Sequence, residues 1–271
     1  MQGFGTESMI PSLEITFLGT GPSTGVPVMT CECPVCTSGD PKNSRLRASI
    51  HLKTPEAQLL VDTGPDLRTQ SLKYGITRAD AVLYTHAHMD HITGFDDLRA
   101  FCWRRDDPLP LFTAPGTLKT LQQMFAWAFS PDNTYKGYVK PGPVTYDGAH
   151  QIGDVKFEAV PVEHGSVETV GIRFDHPSME GGFAYLPDVK SIPDSSLEKL
   201  RDLDTLVIDT LRDTEHPTHL SLSEALQLIE VISPRRAFLT HLSHDFDYAE
   251  LSSRLPDGVH VAYDGMKLTY P

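Results

Sequence analysis

Apolar residues recur at every second position in some segments of this chain and at every third or fourth position in others. Runs with an apolar residue at every second position predict strands, and apolar residues three and four positions apart predict amphipathic helices. Ser221 and Glu224 form a capping box, which marks the start of a helix. The pattern predicts helices or amphipathic stretches over residues 66–74, 95–103, 118–129 and 221–231, and strands over residues 13–18, 47–52, 58–61, 81–84, 155–162, 170–174, 183–186, 205–208, 237–239, 259–262 and 267–269.

This order of strands and helices runs through two loosely similar halves and is typical of the α/β (α+β) class. We expect residues 1–11 to be a flexible leader and residues 12–271 to form one domain. Residues 130–150 are rich in Pro, Gly and Tyr, which predicts a surface lid or insertion. The surface near Trp127 and Phe129 is a candidate homodimer contact.

Composition narrows the classes of function. The chain has 271 residues, of which 39% are hydrophobic and 22% charged, as in ordinary globular proteins. No apolar run approaches the ~20 residues that a membrane span needs, and the first ten residues do not resemble a signal peptide. We therefore expect a cytoplasmic protein without a membrane partner. The net charge of −13 opposes a broad contact with a nucleic acid polymer.

One heptapeptide at residues 85–91, Thr-His-Ala-His-Met-Asp-His, contains the most specific chemistry. Imidazole and carboxylate groups are ligands of zinc, manganese and iron, and their close spacing lets neighbours bind two adjacent ions. The heptapeptide follows a predicted buried strand, and α/β folds place their sites at the carboxyl ends of strands. The alternative is a chance cluster in a chain with 12 histidines. The heptapeptide therefore predicts metal ligands at His86, His88, Asp90 and His91.

The His-x-His-x-Asp-His pattern resembles the signature of the metallo-β-lactamase superfamily of binuclear hydrolases. The resemblance implies an αββα sandwich, in which two mixed sheets are flanked by helices and the metals lie at one edge. It implies that one ion takes the first two histidines of the motif and a later one. The other ion takes the Asp, the third histidine and a last one, and a second Asp bridges both ions. Residues that follow predicted strands and fit the three later positions are His164, Asp188 and His241.

Two more carboxylates follow predicted strands. We expect Asp62 to hold a ligand histidine by a hydrogen bond rather than to bind a metal itself. Asp209 is a candidate for a similar role, and the alternative is a loop residue that faces water.

Three of the four cysteines, Cys31, Cys33 and Cys36, lie within six positions. Such spacing suits a metal better than disulfides in a reducing compartment. His244 would complete a Cys₃His set, a closed tetrahedral site for a structural zinc ion. The alternatives are free thiols and a His244 that caps a helix or faces solvent. The fourth cysteine, Cys102, is expected to be a small buried hydrophobe.

The cysteine triplet, the closing Thr-His-x-Ser-His and residues 19–21, 25–27 and 263–266 together resemble the PhnP-like cyclic phosphodiesterases of this superfamily. The resemblance implies hydrolysis of a small phosphodiester such as a ribose cyclic phosphate or a cyclic nucleotide. It implies two Mn²⁺ or Zn²⁺ ions in the active site and one structural Zn²⁺. A hydroxide that bridges the two ions and is oriented by Asp188 would attack phosphorus, so Asp90 and Asp188 are candidate catalytic residues.

The leaving oxygen of such a reaction needs a proton or a positive partner. His219 lies just before the capping box, and the resemblance implies that it acts as general acid or transition-state stabiliser. His216 is the nearby rival, and the alternative for His219 is a solvated residue at the start of a helix.

Three other functions stay open at this point. A tRNA 3′-processing type of endonuclease shares the heptapeptide but needs a basic arm, which residues 100–150 do not provide. A thioester or lactam hydrolase would use the same hydroxide against a carbonyl carbon. A non-catalytic metal-binding protein would have a damaged ligand set, whereas here all seven positions are filled. The sequence leaves open the natural substrate and the choice between manganese and zinc.

Overall fold

Two seven-stranded sheets face each other, and helices cover their outer surfaces. The computed structural model describes residues 12–271, so the expected leader lies outside the described residues. The predicted αββα sandwich is confirmed. The strands are β1 (Leu13–Gly19), β2 (Ser49–Lys53), β3 (Gln58–Val61), β4 (Ala81–Leu83), β5 (Leu109–Thr113), β6 (Pro141–Thr145), β7 (Ala149–Ile152), β8 (Val155–His164), β9 (Val167–Asp175), β10 (Gly182–Leu186), β11 (Leu203–Asp209), β12 (Arg236–Thr240), β13 (Val259–Val261) and β14 (Lys267–Tyr270).

Short helices connect the strands. Within residues 12–271, no helix combines the length and the apolar character needed to cross a membrane. The helices are α1 (Leu67–Tyr74), α2 (Met89–Ile92), α3 (Arg99–Cys102), α4 (Pro115–Met124), α5 (Ala126–Phe129), α6 (Asp194–Leu197), α7 (Leu222–Ile232) and α8 (Tyr248–Arg254).

Strand direction decides where the loops with candidate ligands lie. The first sheet has the order β14-β1-β2-β3-β4-β5-β6 and the second has the order β13-β12-β11-β10-β9-β8-β7. β3 to β6 are parallel, and so are β10 to β13. β8 points the same way as β10, because both are antiparallel to β9 between them. The carboxyl ends of β8, β10, β11 and β12 therefore share one edge of the second sheet.

Apolar side chains hold the layers together. Phe17 from the first sheet and Phe174 and Val207 from the second are fully buried between the sheets. Ala225 of α7 packs on the outer face of the second sheet, and Leu67 of α1 packs on the outer face of the first. Each such burial of a large apolar side chain contributes about 1.5–3 kcal/mol, which makes the sandwich a rigid support for its edge loops.

The capping box predicted at the start of α7 is present. The Ser221 backbone N–H donates to Glu224 Oε2 at 2.8 Å, and the Glu224 backbone N–H donates to Ser221 Oγ. The helix extends to Ile232, one residue beyond the predicted end.

The pattern is wrong about the continuity of one helix. The helix predicted over residues 118–129 divides into α4 and α5, because Phe125 leaves the helical conformation with φ −116° and ψ 39°. The stretch predicted over residues 95–103 is a 3₁₀ helix (Phe95–Leu98) followed by α3. Residues 130–150, predicted as a lid or insertion, supply edge strands to both sheets through β6 and the start of β7.

Candidate functional site

Three imidazoles converge at one edge of the sandwich. His86 and His88 follow β4, and His164 ends β8. His88 Nδ1 lies 2.9 Å from His86 Nε2 and 3.2 Å from His164 Nε2. Burial lowers the pKa of all three imidazoles, so they are neutral near pH 7. Neutral imidazoles that meet at one point offer their lone pairs to a cation.

Asp188 lies between this triplet and a second group formed by Asp90, His91 and His241. Asp188 Oδ1 lies 3.8 Å from His164 Nε2 and 3.3 Å from His241 Nε2, and Oδ2 lies 3.1 Å from His91 Nε2. Asp90 Oδ2 lies 3.2 Å from His91 Nε2 and 3.8 Å from His241 Nε2. Within each group the donor atoms lie within 4.8 Å of one another, a spacing that suits a metal ion. The structure therefore brings all seven residues predicted from the sequence together.

The carboxylates and imidazoles of the second group shift one another's pKa values. Burial opposes the charged form of Asp90, but His91 and His241 outweigh burial and lower the pKa of Asp90. Burial also opposes protonation of His241, but Asp188 and Asp90 outweigh it and raise the pKa of His241 to about 9. The pKa of His91 is raised in the same way, mainly by Asp188. A cation at this position would take the place of the protons that these imidazoles otherwise share with the carboxylates.

Several buried atoms at the centre lack hydrogen-bond partners among residues 12–271. They include His91 Nε2, His241 Nε2 and Asp188 Oδ2. His91 Nε2 and Asp188 Oδ2 lie only 3.1 Å apart, yet they do not have the geometry of a hydrogen bond. An unsatisfied buried polar atom costs ~1–3 kcal/mol, and coordination of a cation would remove that cost. The imidazole and carboxylate groups therefore fit a binuclear metal site.

Hydrogen bonds around the cluster hold the Nδ1 atoms of His86 and His91. His91 Nδ1 donates to Asp62 Oδ2 at 2.8 Å. Thr85 Oγ1 donates to the same oxygen at 2.8 Å and accepts from His86 Nδ1 at 3.0 Å. Such bonds fix the ring orientation and leave Nε2 free to bind a metal. The contact expected of Asp62 is present, whereas Thr85, inside the heptapeptide, is a partner that the sequence reasoning missed.

One residue of the cluster and one residue beside it adopt the left-handed backbone conformation. Asp62 follows β3 with φ 62°, and His241 follows β12 with φ 59°. Non-glycine residues pay about 1–3 kcal/mol for such a conformation, which persists only where neighbouring contacts enforce it. Neither residue type signals this conformation, so the sequence offered no means of finding it.

His219 lies beside the cluster. Its ring stacks on His241 with 4.7 Å between centroids and lies 4.6 Å from the ring of His164. His219 Nδ1 donates to Asp209 Oδ2 at 2.8 Å, and the Val189 backbone N–H donates to the same oxygen at 3.0 Å. Asp209 is fully buried and does not face water. The side chain of His219 is 12% exposed, so solvent reaches it from the open side of the cluster.

The loop before α7 closes over His164. His164 Nδ1 donates to the Thr218 carbonyl oxygen at 2.7 Å, a contact that the sequence reasoning missed. The rival His216 accepts at Nδ1 from Thr218, and its ring lies 5.1 Å from that of His219. Among the ring contacts of the described residues, His219 reaches His164 and His241, whereas His216 reaches only His219.

A second group of candidate ligands joins an early loop to the loop after β12. Three sulfurs surround His244 Nδ1, at 3.3 Å from Cys31, 3.6 Å from Cys33 and 3.4 Å from Cys36. The Cys36 backbone N–H lowers the pKa of Cys33 to about 6, and burial raises the pKa of Cys36 to about 11. This Cys₃His group is a possible structural metal site. Cys102 is buried elsewhere, as predicted.

The fold and the cluster define the class of protein: this chain belongs to the β-lactamase superfamily. The family described as Beta-lactamase superfamily domain matches residues 57–242. A diphosphatase from the PhnP family has a solved structure with a TM-score of 0.87 and 38% identity, covering 95% of this chain and 97% of that one.

Two further proteins are similar to this chain. Zinc-bound PqqB from Methylobacterium extorquens has a TM-score of 0.74 and 20% identity, over 94% of this chain and 99% of that one, and so supports the fold alone. An octanoyltransferase of Porphyromonas gingivalis is 35% identical over 92% of this chain but only 50% of its own length. The chain therefore spans about half the length of that relative.

Proposed function

We propose that this protein is a metal-dependent phosphoric diester hydrolase that acts on a small substrate, such as a ribose cyclic phosphate or a cyclic nucleotide. The observation that carries the proposal is the buried His/Asp cluster with His219 on its open side. The 38% identical diphosphatase of the PhnP family supports phosphate chemistry over carbonyl chemistry.

The proposed ligands divide into two sets that share Asp188. His86, His88 and His164 would hold one ion, and Asp90, His91 and His241 would hold the other. The contacts of Asp188 with His164 and His91, through different oxygens, support its place between the sets. Two Mn²⁺ or Zn²⁺ ions would supply a water activated for attack and positive charge for the phosphate oxygens.

A residue of the chain would protonate the leaving group. His219 Nδ1 is held by Asp209, so its Nε2 is the nitrogen available to a substrate oxygen. A buried carboxylate that binds Nδ1–H fixes the tautomer and the orientation of the ring. His219 would thus donate a proton to the leaving oxygen, while Asp209 holds the ring in place.

We also propose that Cys31, Cys33, Cys36 and His244 hold a structural Zn²⁺. Four protein ligands complete a tetrahedron and leave no position for substrate. The ion would connect the loop after β1 to the loop after β12.

The function is tested by phosphorus NMR on manganese-loaded protein. A 2′,3′-cyclic nucleotide, ribose 1,2-cyclic phosphate and a nucleoside diphosphate are offered separately. Conversion of a cyclic phosphate to a monoester, abolished by a chelator, supports the proposal, and cleavage of the diphosphate alone would move it to diphosphatase activity. No reaction with any of the three, at two bound ions per chain, would overturn it.

We keep hydrolysis of a thioester as a second candidate, because a relative of which this chain covers half is named an octanoyltransferase. The same cluster can direct an activated water to a carbonyl carbon. An octanoyl thioester offered to the same preparation decides between the two, since release of thiol without any phosphate reaction would favour this candidate.

A further inference from the structure

Arg45 has the largest fully buried side chain among the described residues, with 1% of its surface exposed. A guanidinium removed from water is costly unless hydrogen bonds replace the lost hydration. Burial lowers the pKa of Arg45 to about 10, which still leaves it charged at neutral pH. A buried cation outside both candidate metal groups calls for a function of its own.

The partners of this cation are backbone carbonyls. Arg45 Nη1 donates to the Ser243 carbonyl oxygen at 2.7 Å, and Nη2 donates to the Phe246 carbonyl oxygen at 2.7 Å. Nη2 also donates to Asn43 Oδ1 at 3.3 Å. The two carbonyls lie on either side of His244, in the loop that follows β12. One side chain thus binds this loop at two points, and the planar guanidinium suits such a double contact.

Arg45 is itself held firmly. Its backbone N–H donates to the Val26 carbonyl oxygen at 2.7 Å, and its carbonyl oxygen accepts from the Val26 N–H at 2.8 Å. The neighbouring Leu46 N–H donates to Asp264 Oδ2 at 2.7 Å. The guanidinium therefore extends from a fixed backbone.

The loop that Arg45 contacts begins at His241, which has the left-handed φ of 59°. The two residues after His241 donate backbone hydrogen bonds. The Leu242 N–H donates to the Thr20 carbonyl oxygen at 2.9 Å, and the Ser243 N–H donates to the Leu211 carbonyl oxygen at 3.0 Å. The Ser243 carbonyl points to Arg45. Since an unfavourable conformation persists only under external contacts, these bonds are what hold His241 in place.

We propose that Arg45 is a positioning residue that holds the loop 241–246 from inside the protein and so sets His241 for metal binding. The inference rests on the proposed role of His241 as a metal ligand. Arg45 acts through the backbone of Ser243 and contacts neither candidate ion.

The test compares Arg45→Met and Arg45→Lys with the wild type, all with the cysteines intact. Methionine keeps most of the apolar stem but leaves the two carbonyls without donors, and lysine keeps the charge without the planar double contact. Arg201→Met is the matched control, because Arg201 is exposed and its side chain pairs with Glu198 at the surface, away from this loop.

Two quantities are measured besides activity. In chelator-treated protein, hydrogen exchange of the Leu242 and Ser243 amides should accelerate in Arg45→Met and not in Arg201→Met. In titrations with Mn²⁺, the ion that depends on His241 should bind about 10- to 100-fold more weakly in Arg45→Met, the loss typical when support around a ligand is removed. Arg45→Lys should fall between Arg45→Met and the wild type.

Wild-type Mn²⁺ affinity and wild-type exchange in Arg45→Met would overturn the inference. If Arg45→Met does not fold, Arg45→Lys decides. Accelerated hydrogen exchange at the loop with unchanged Mn²⁺ affinity would show that the order of the loop does not affect metal binding by His241, and would reject the inference. A His241→Ala variant that still binds two Mn²⁺ ions would instead reject the ligand role of His241. Failure of the proposed function is therefore distinguishable from failure of this inference.

Discussion

The His/Asp cluster and the Cys₃His group differ in how many distant parts of the chain they bring together. The seven residues of the cluster come from loops and strand ends of both sheets, and all but His88 are buried. Three of the four residues of the Cys₃His group lie within six positions of one loop, and all four are half-buried. Four residues of the cluster lie in the heptapeptide, but three more come from separate strand ends and join them only when the sandwich has formed, whereas the Cys₃His group needs one distant residue, His244.

This difference matches the two kinds of chemistry. Three thiolates and an imidazole close a tetrahedron and suit an ion that supports structure. Imidazoles and carboxylates around Asp188 leave an open side at His88 and His219, where a substrate can approach. We expect loss of ligands from the cluster to remove activity, and loss of ligands from the cysteine group to remove stability.

The largest effect is expected for Asp188→Asn. The amide keeps the shape but loses the charge that faces both sets of proposed ligands, so one ion and several kcal/mol of charge stabilisation are lost. We expect kcat/KM to fall by at least about 10⁴-fold. Metal content by elemental analysis and phosphodiesterase assays check this, with the exposed Asp147→Asn as control. Full activity in Asp188→Asn would show that the cluster is not the catalytic centre.

His219→Ala separates proton donation from metal binding. Because His219 lies beside the cluster and is held by Asp209, its loss should lower kcat by about 10²- to 10³-fold while metal content stays at the wild-type level. His216→Ala is the matched control and should change kcat far less. A loss of metal in His219→Ala would assign His219 to the ligand set, and equal effects of both variants would remove the distinction between them.

The two regions also differ in what the sequence could predict. The heptapeptide and the cysteine triplet are local patterns whose chemistry is visible in residue types alone. His164, Asp188 and His241 were found because each follows a predicted strand and fits a ligand position that the superfamily resemblance implies, and strand direction brings them to one edge. Register helped too, since parallel pairing of β11 with β12 sets Asp209 opposite Thr240, directly before His241.

What the sequence could not predict depends on tertiary contacts. The left-handed conformation of Asp62 and His241 is enforced by neighbours and has no residue signature. The carbonyl of Thr218 and the guanidinium of Arg45 act through backbone geometry that only the folded chain defines. The break at Phe125 likewise opposes a helical pattern that is locally favourable, because tertiary packing overrides propensity.

Cys31→Ser should affect stability and leave chemistry nearly unchanged. Loss of one thiolate weakens the proposed zinc site, and a cost of ~2 kcal/mol would lower Tm by about 4–8 °C. Elemental analysis should show the loss of one zinc ion, while kcat below Tm should stay within roughly twofold of the wild type. Cys102→Ser, outside the group, should keep the zinc. A Cys31→Ser protein with normal zinc content would exclude the Cys₃His site.

The smallest expected effect is a pH dependence that belongs to the cluster alone. Asp188 and Asp90 raise the pKa of His241 to about 9, against about 6.5 for a histidine in an unfolded chain. In chelated protein the folded state therefore binds this proton more tightly, so its contribution to stability is complete below about pH 6.5 and is lost as the pH rises through about 9. Bound ions need the neutral imidazole, so their stabilisation grows over the same range. The difference in Tm between loaded and chelated protein should widen from pH 6.5 to 9. The same measurement in the Cys31→Ser variant removes the contribution of the cysteine group. If the difference in Tm between loaded and chelated protein stays constant with pH in that variant, no proton is displaced from the cluster when metal binds.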